Sequence, residues 1–288
     1  MGYIMNLHKK ALLIITVAIL IGSISLLYKS SGSIIHKKSN SATIINTPKT
    51  LKKDIVRPVY IHNSVGSLKN KKIPILMYHS ICYEKGNILR IPREKFRNQM
   101  KYLKNNNYTT LSLDELYSYM KTGKNLPTKP IVITFDDGYK DNYTNAYTIL
   151  KEFKQKATVF VITNTIDHEK DYLTSTEIKI MDSNNIRIES HTSSHEHLDK
   201  ISYIDNVNTM KNSKIKLEKI LNRKIDYIAY PYGGYTSNTI KAAKLSGYKL
   251  AFSTGFGLID KNDNIYTLGR IFVNSNFTLD QFKAKLTS

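Results

Sequence analysis

Two adjacent carboxylates end an apolar stretch near the middle of the chain. Residues 131–135 (IVITF) are mostly β-branched or aromatic, which predicts a buried strand, and Asp136, Asp137 and Gly138 follow directly. Neighbouring acids repel one another and resist burial, so we expect a cation to hold them. The competing interpretation is a solvated turn, because Asp and Gly are common turn residues.

A second group of candidate ligands follows another predicted strand, residues 186–190 (IRIES), where His191 and His195 stand four positions apart. Histidines at this spacing can meet on one face of a helical turn or across a tight loop and bind one metal ion. A hydrogen-bonded surface pair is the alternative. Two imidazoles and one carboxylate leave coordination positions open, as a catalytic metal site requires. His197 is expected to face away from the metal or to support it from outside.

Alternating strand and helix patterns must position these residues. Strands that alternate with helices predict a parallel sheet, and the number of units favours a (β/α) barrel or near-barrel. Chemistry in such folds lies at the carboxyl ends of strands, where both acids, His191 and Tyr232 fall. The predicted strands are 73–78, 131–135, 157–162, 186–190, 225–230 and 248–253, and the predicted helices are 92–106, 113–120, 142–154, 174–184, 202–222 and 237–246.

The N-terminal part of the chain differs in composition from the rest. Residues 11–28 are an uncharged apolar run after a short basic start, which is just long enough to span a bilayer. Residues 1–28 are therefore predicted to be an uncleaved signal anchor in the cell membrane, with the rest of the chain outside and a cleaved signal peptide as the alternative. Residues 29–72 predict a flexible basic tether, and residues 73–288 the catalytic domain.

Charge and cysteine content narrow the possible partners. The formal net charge of +20 over 288 residues suits anionic partners such as membrane headgroups or wall polymers. Nucleic-acid binding is not expected, because no Arg-rich cluster with interleaved aromatic residues occurs. Cys82 is the only cysteine, so an intramolecular disulfide and a cysteine-based zinc site are excluded. A monomer is expected.

Three motifs in this order resemble the polysaccharide deacetylases, the NodB-homology family also classed as carbohydrate esterase family 4. They are residues 134–138 (TFDDG), His191-Thr192-x-x-His195 and residues 230–233 (YPYG). The resemblance extends over roughly residues 73–272. It implies a distorted (β/α) barrel, NodB-like, that removes N- or O-acetyl groups from sugar polymers.

The resemblance also implies a role for each matched residue. Asp136 would be the general base, and Tyr232 would offer its backbone N–H to the oxyanion. Asp137, His191 and His195 would bind a divalent metal ion, for which zinc is the expected identity and other divalent transition metals are alternatives. The chemistry agrees, because such an ion polarises an acetamide carbonyl, lowers the pKa of bound water and relieves the repulsion between adjacent acids.

Two departures from the family pattern concern the general acid. Many members place an arginine two residues before the proline of the third motif, where this chain has Ala229. Many also carry a histidine in a later Leu-x-His, where this chain has Arg270. His79, after the first strand, is our candidate for the acid, with packing of the barrel rim as the alternative. Arg270 is expected to orient Asp136 by a charged hydrogen bond.

These features are most similar to the subgroup that acts on biofilm poly-N-acetylglucosamine. The predicted function is therefore metal-dependent removal of N-acetyl groups from N-acetylglucosamine units of this extracellular polysaccharide, with peptidoglycan deacetylation as the close alternative. Alternatives from other classes are a metal-free glycoside hydrolase, a non-haem iron oxygenase and an inactive carbohydrate-binding module. Tyr139, Tyr232 and Tyr235 are candidates for stacking on sugar rings, although core packing is the commoner role of tyrosine.

Overall fold

A single mixed sheet carries the fold in the computed structural model, which describes residues 72–287. The strands form where the sequence has short apolar, β-branched runs. Their bounds are β1 (Ile73–Tyr78), β2 (Thr109–Thr110), β3 (Pro130–Phe135), β4 (Ala157–Val161), β5 (Ile186–Ser190), β6 (Tyr227–Ala229), β7 (Leu250–Phe252), β8 (Leu258–Ile259) and β9 (Ile271–Phe272).

Seven α-helices connect or flank these strands in the described part of the chain. They are α1 (Arg93–Asn105), α2 (Leu113–Thr122), α3 (Thr148–Phe153), α4 (Ser175–Asp182), α5 (Tyr203–Leu221), α6 (Ser237–Leu245) and α7 (Leu279–Lys285). A π-helix, Asn142–Tyr147, runs directly into α3. Hydroxyl side chains accept a backbone N–H bond at the start of five helices, which satisfies donors that the helix leaves free. These caps are Ser112, Thr174, Ser202, Thr236 and Thr278.

The sheet is an α/β half-barrel rather than a ring of regular strands. Its order is β7-β6-β5-β4-β3-β1-β8, and every pair from β7 to β1 is parallel, as the alternating pattern predicts. An irregular segment, residues 265–272, spans the space between β7 and β1. It touches β7 through one bridge, between Leu268 and Phe252, and touches β1 through the two residues of β9. The predicted α/β class and parallel order are confirmed, and the barrel is less complete than predicted.

Successive residues of each strand enter two different apolar clusters, because side chains alternate between the faces of a sheet. Ile131 and Ile133 of β3 pack in the larger cluster with the outer helices. Val132, between them, packs in the second cluster with Phe160. Helix α2 contributes its apolar face to that second cluster. Each such fully buried side chain contributes roughly 1.5–3 kcal/mol, so the two clusters fix the strand ends in space.

Several elements differ from the pattern in the sequence. β6 and β7 are shorter than the predicted strands 225–230 and 248–253, and the short strands β2 and β8 and helix α7 were not predicted. The predicted anchor and nearly all of the tether lie outside the described residues. Within residues 72–287, no helix combines the length and the apolar character needed to cross a membrane.

Candidate metal centre

The three predicted ligands meet at the carboxyl ends of β3 and β5. Asp137 follows β3, while His191 and His195 follow β5, and both strands pair with β4. One carboxylate oxygen of Asp137, Oδ1, lies 3.5 Å from Nε2 of His191 and 3.3 Å from Nε2 of His195. The three ligand atoms all lie within 4.8 Å of one another. One metal ion at ordinary ligand distances from all three atoms therefore fits among them.

Hydrogen bonding around the three side chains leaves the ligand atoms free for a metal ion. Nδ1 of His191 donates to the carbonyl oxygen of Ala229 at 2.8 Å. A carbonyl oxygen can only accept, so the proton is on Nδ1 and the lone pair on Nε2 faces Asp137. Oδ1 of Asp137 is buried and accepts no hydrogen bond from the described residues. Such an orphaned oxygen is costly unless a ligand satisfies it, so this donor set fits a divalent transition metal.

The electrostatics of the cluster favour an added positive charge. Burial would raise the pKa of Asp137, but the neighbouring His191 and His195 imidazoles hold it well below its usual range. Burial would lower the pKa of His191, whereas the charges of Asp136 and Asp137 outweigh burial and raise it. Without a cation, the two carboxylates therefore favour the protonated form of the His191 imidazole. A divalent ion would compensate the negative charge of the carboxylates in the same way.

Asp136, although adjacent to Asp137, points to a different partner. Both of its carboxylate oxygens accept hydrogen bonds from Arg270, Nη1 at 2.6 Å and Nη2 at 2.7 Å. The arginine is itself fixed, because Nε donates to the carbonyl oxygen of Ser253 at 3.1 Å and Nη1 also donates to Thr134. Both members of this pair are at most 3% exposed. The contact between Arg270 and Asp136 is the one that the sequence predicted.

The charge of Arg270 decides the protonation state of Asp136. Burial would raise the pKa of this carboxyl, but the guanidinium and the nearby His191 lower it below its ordinary value. Asp136 is therefore a carboxylate throughout the neutral range. A bidentate arginine also fixes the plane of the carboxylate, which leaves only limited directions for accepting a proton.

His79 follows β1 and lies at the same end of the sheet as the metal centre. Its Nδ1 is buried without a hydrogen-bond partner among the described residues, and its ring packs edge-on against Phe272 with centroids 5.8 Å apart. Burial lowers the pKa of His79, and the charges of Asp136 and Asp137 offset this only in part. Its imidazolium is consequently a ready proton donor but the minor form at neutral pH.

The backbone that carries His79 is held by the π-helix and the residue before it. Asp141 accepts a hydrogen bond from the N–H of Ile81 at 2.7 Å. Asn142 Nδ2 donates to the carbonyl oxygen of His79, and Asn145 Nδ2 donates to that of Ile81, both at 2.8 Å. The wide π turn presents all three side chains to one loop, a feature that helical periodicity in the sequence does not reveal.

Tyr232 forms the outer wall of the centre together with His197. Its ring is stacked on that of His197, with centroids 3.8 Å apart and planes within 5°, and lies edge-to-face with His195 at 4.4 Å. The Tyr232 side chain is 57% exposed, so it borders the open side of the site. His197 thus supports His195 from outside, through Tyr232. Tyr235 packs near Tyr230 instead, with centroids 5.8 Å apart.

Left-handed backbone is concentrated at this site. Four non-glycine residues around the centre have positive φ, with values of 73° at Asp137, 67° at Thr192, 60° at His195 and 59° at Tyr232. Conformations of this kind cost on the order of 1–3 kcal/mol each and persist where the surroundings impose them. Gly233 follows, and a Cβ there would lie 2.0 Å from Oγ1 of Thr254. Sequence reasoning placed the ligands but gave no indication of this strain.

Comparison with known proteins agrees with this fold and site. Residues 123–251 match the family model described as polysaccharide deacetylase. YxkH of Bacillus subtilis strain 168, named for the same family, is 38% identical over 220 residues, which cover 76% of this chain and 78% of that protein. The chain therefore belongs to the polysaccharide deacetylase family, and the resemblance predicted from the three motifs is confirmed. The chain is accordingly an enzyme of the polysaccharide N-deacetylase family, and Asp137, His191 and His195 are consistent with the divalent metal site of that family.

Two further proteins extend the comparison. The poly-beta-1,6-N-acetyl-D-glucosamine N-deacetylase of Staphylococcus aureus is 29% identical over 256 residues, which cover 83% of this chain and 81% of that protein. The solved structure of the Streptococcus pyogenes deacetylase PplD, in complex with acetate, superposes with a TM-score of 0.72 at 31% identity. That superposition covers 75% of this chain and 99% of the solved PplD chain.

Proposed function

We propose that the protein removes N-acetyl groups from N-acetylglucosamine units of extracellular poly-N-acetylglucosamine by metal-dependent hydrolysis. The observation that carries the reaction is the convergence of Asp137, His191 and His195 beside a carboxylate that is not a ligand, Asp136. The choice of polymer is supported by the similarity to the S. aureus N-deacetylase over 83% of this chain. The basic surface suits an anionic cell envelope.

The metal ion has a defined place in this proposal. Asp137, His191 and His195 would hold it, and zinc is the expected identity because two imidazoles and one carboxylate with open positions suit that ion. When bound, a divalent cation polarises the acetamide carbonyl and makes water more acidic. Proton transfer and stabilisation of the developing negative charge are carried out by side chains and a backbone N–H of this chain.

Proton transfer is divided between two residues. Asp136, held in plane by Arg270, takes a proton from the attacking water, whose oxygen then bonds to the carbonyl carbon. The backbone N–H of Tyr232 donates a hydrogen bond to the oxygen on which negative charge develops, worth about 3 kcal/mol in comparable sites. His79 gives a proton to the nitrogen as the carbon–nitrogen bond breaks. The products are acetate and a glucosamine unit, so atoms and charge balance.

The test is acetate release from defined substrates, with the products mapped by mass spectrometry. Oligomers of β-1,6- and β-1,4-linked N-acetylglucosamine and peptidoglycan fragments are compared, with and without chelator and with zinc restored. We expect turnover on the β-1,6 series that chelation abolishes and zinc restores. Acetate release insensitive to chelation would exclude the metal-dependent reaction, and faster turnover of peptidoglycan fragments would reassign the polymer. Binding of oligomers without acetate release would indicate a carbohydrate-binding module.

His79 is tested separately, because a general acid and a residue that only packs the rim predict different turnover rates. His79→Ala should lower kcat by roughly 10²–10⁴-fold, as loss of a general acid does. Metal content should stay unchanged, which distinguishes this variant from loss of a ligand. Unchanged turnover would show that His79 only packs the rim of the sheet.

We also propose that the enzyme is anchored in the cell membrane with its catalytic domain outside. The apolar run at residues 11–28, after a basic start, supports this location. Fractionation of cells that express the full chain should place activity in the membrane pellet, accessible to protease added from outside. Recovery of active enzyme from the medium would indicate a cleaved signal peptide instead.

A further inference from the structure

A pocket of about 360 Å³ opens directly beside the metal centre. Asp137 and His195 form its inner wall, so any ligand within it adjoins the reacting group. The volume is within the range of small-molecule sites and suits a sugar unit. The outer wall is made mainly by Tyr139, Asn164, Glu169 and Tyr172.

The outer wall is tied to the turn that carries the two acids. The N–H of Leu173 donates to the carbonyl oxygen of Gly138 at 2.9 Å, and the N–H of Lys140 donates to that of Asp171 at 2.8 Å. The rings of Tyr139 and Tyr172 are stacked, with centroids 5.2 Å apart. This wall therefore offers an aromatic surface at a fixed distance from the metal ligands. Aromatic faces of this kind suit the apolar face of a pyranose ring.

The charge of the pocket is negative in a strongly basic protein. Glu169 and Asp137 are the acids of the lining, and no lysine or arginine lines it. Among residues 72–287, the Glu169 carboxylate has no ion-pair or side-chain hydrogen-bond partner. The nearby cations already have anionic partners, since Arg90 pairs with Glu84 at 2.8 Å and Lys140 pairs with Glu177 at 2.9 Å. The Arg90 guanidinium also lies over the Tyr139 ring, 5.7 Å from its centroid, so Tyr172 offers the freer aromatic face. A metal ion neutralises Asp137, which leaves Glu169 as the free anion of the pocket.

We propose that this pocket is a subsite for glucosamine, the cationic sugar next to the N-acetylglucosamine unit that loses its acetyl group. Glu169 accepts a hydrogen bond from the ammonium group of that neighbour, while the Tyr139–Tyr172 pair lies against its ring. The inference rests on the proposed function, because a deacetylase generates chains that contain both sugars. Each deacetylated unit then favours reaction at the adjacent unit, so acetyl groups are lost in runs rather than at random.

The experiment compares three β-1,6-linked trimers with the metal-loaded full chain. One trimer is fully acetylated, and the other two carry a single glucosamine at one end or at the other. We expect wild-type kcat/KM to favour one mixed trimer about threefold, the size of an exposed ion pair. Glu169→Gln should abolish this preference, so that the mixed and the fully acetylated trimers have equal kcat/KM.

Asp171→Asn is the matched control, because Asp171 lies two residues away, undergoes the same loss of charge and does not line the pocket. It should retain the preference. If both variants lose the preference equally, the effect is only that of a negative charge near the site, and the subsite is overturned. The same conclusion follows if the wild type shows no preference or if Glu169→Gln retains it.

A binding measurement separates this inference from the proposed reaction. Asp136→Asn, which lacks the general base, is titrated calorimetrically with two ligands. They are the preferred mixed trimer, called the glucosamine trimer below, and the fully acetylated trimer. Adding Glu169→Gln should weaken binding of the glucosamine trimer about threefold and leave the acetylated trimer unaffected. If the glucosamine trimer is unaffected, the subsite is wrong whatever the activity. If no trimer releases acetate from the wild type, the proposed function fails while the binding result still decides the subsite.

Discussion

Two buried carboxylates in this molecule are both paired with arginine, yet their surroundings differ. At the metal centre, Arg270 is the one side chain among residues 72–287 that donates to the Asp136 carboxylate, through two short bonds. On β5, Glu189 is fully buried and accepts four hydrogen bonds. Its Oε1 accepts from Arg187 at 2.7 Å and Arg223 at 3.0 Å, and its Oε2 accepts from the N–H groups of Asp226 and Tyr227.

The difference lies in what remains unsatisfied nearby. Around Glu189 every carboxylate oxygen has two donors, so the cluster is complete without a ligand. Around Asp136, the buried atoms Oδ1 of Asp137 and Nδ1 of His79 have no partner among the described residues. Buried polar atoms are rarely left in this state unless something else binds them. An arginine–carboxylate pair therefore does not mark function by itself, whereas orphaned ligand atoms beside one do.

The largest expected effect comes from removing the orphaned ligand. Asp137→Ala should lower kcat/KM by roughly 10³-fold, because several kcal/mol of metal-assisted stabilisation are lost. Bound metal, measured by mass spectrometry, should fall in parallel. The metal-free protein should also lose stability in urea, because a carboxyl whose pKa is held below its ordinary value stabilises the fold at neutral pH. Asp136→Asn is the control that loses activity and keeps metal, and metal retained by Asp137→Ala would contradict the assignment.

Paired arginine substitutions test the comparison directly. Arg270→Met leaves Asp136 as a buried charge without a partner, which should lower the unfolding free energy by about 3–5 kcal/mol. It should also lower kcat. In Arg223→Met, Glu189 keeps Arg187 and two N–H donors, while the partly exposed Asp182 loses two bonds from the same guanidinium. The loss should be about 1–3 kcal/mol with kcat unchanged. Urea melts and initial rates measure both, and a kcat defect in Arg223→Met would break the distinction.

A pH titration of stability sharpens the difference for Asp136. Its pKa is lower in the folded protein than in the unfolded chain, where an aspartate titrates near roughly 3.9. The stabilisation it contributes is therefore complete above about pH 4, by that reference value, and is lost as the pH falls through the folded pKa. In metal-free protein, Asp136→Asn should remove this part of the acid-induced loss. Identical acid titrations for the two proteins would show that the pair does not contribute.

The smallest expected effect concerns the stacked rings of His197 and Tyr232, a feature without a counterpart among the described residues near Glu189. His197→Ala should change KM or kcat about threefold, because an aromatic pair contributes about 0.5–1.5 kcal/mol. His197→Phe can still stack on Tyr232 and should restore the wild-type values. Metal content should stay constant in both variants. Failure of Phe to rescue would mean that the imidazole acts through its nitrogens rather than through its face.

The sequence predicted where the candidate ligands lie, because the two acids and His191 each follow a predicted strand. Parallel strands end at one shared edge, which brings both acids and the two histidines together. The choice of Asp137 as a ligand and Asp136 as the base came from the family resemblance. Helix α2 was predictable for a similar reason, since Ser112 and Glu115 form a capping box at its start. These features depend on residues that are close in sequence.

Other parts of the site depend on tertiary packing and were not predictable in detail. The left-handed backbone at Thr192 and Tyr232 has no local signature, because neither residue type favours that conformation. The incomplete barrel follows from a segment with too few paired residues to form a regular strand, residues 265–272. The sequence did not indicate a role for Glu169, because an isolated acid in a loop does not show which pocket it lines.

The π-helix at Asn142–Tyr147 makes the spacing of this segment as important as its composition. Its wide turn accommodates one more residue than the α-helical path, and side chains at its start reach across to the strand end that bears His79. A single-residue deletion there would restore ordinary helical geometry and rotate those side chains away from the loop. The chain would still fold around the same core, but the candidate acid would lose its fixed position.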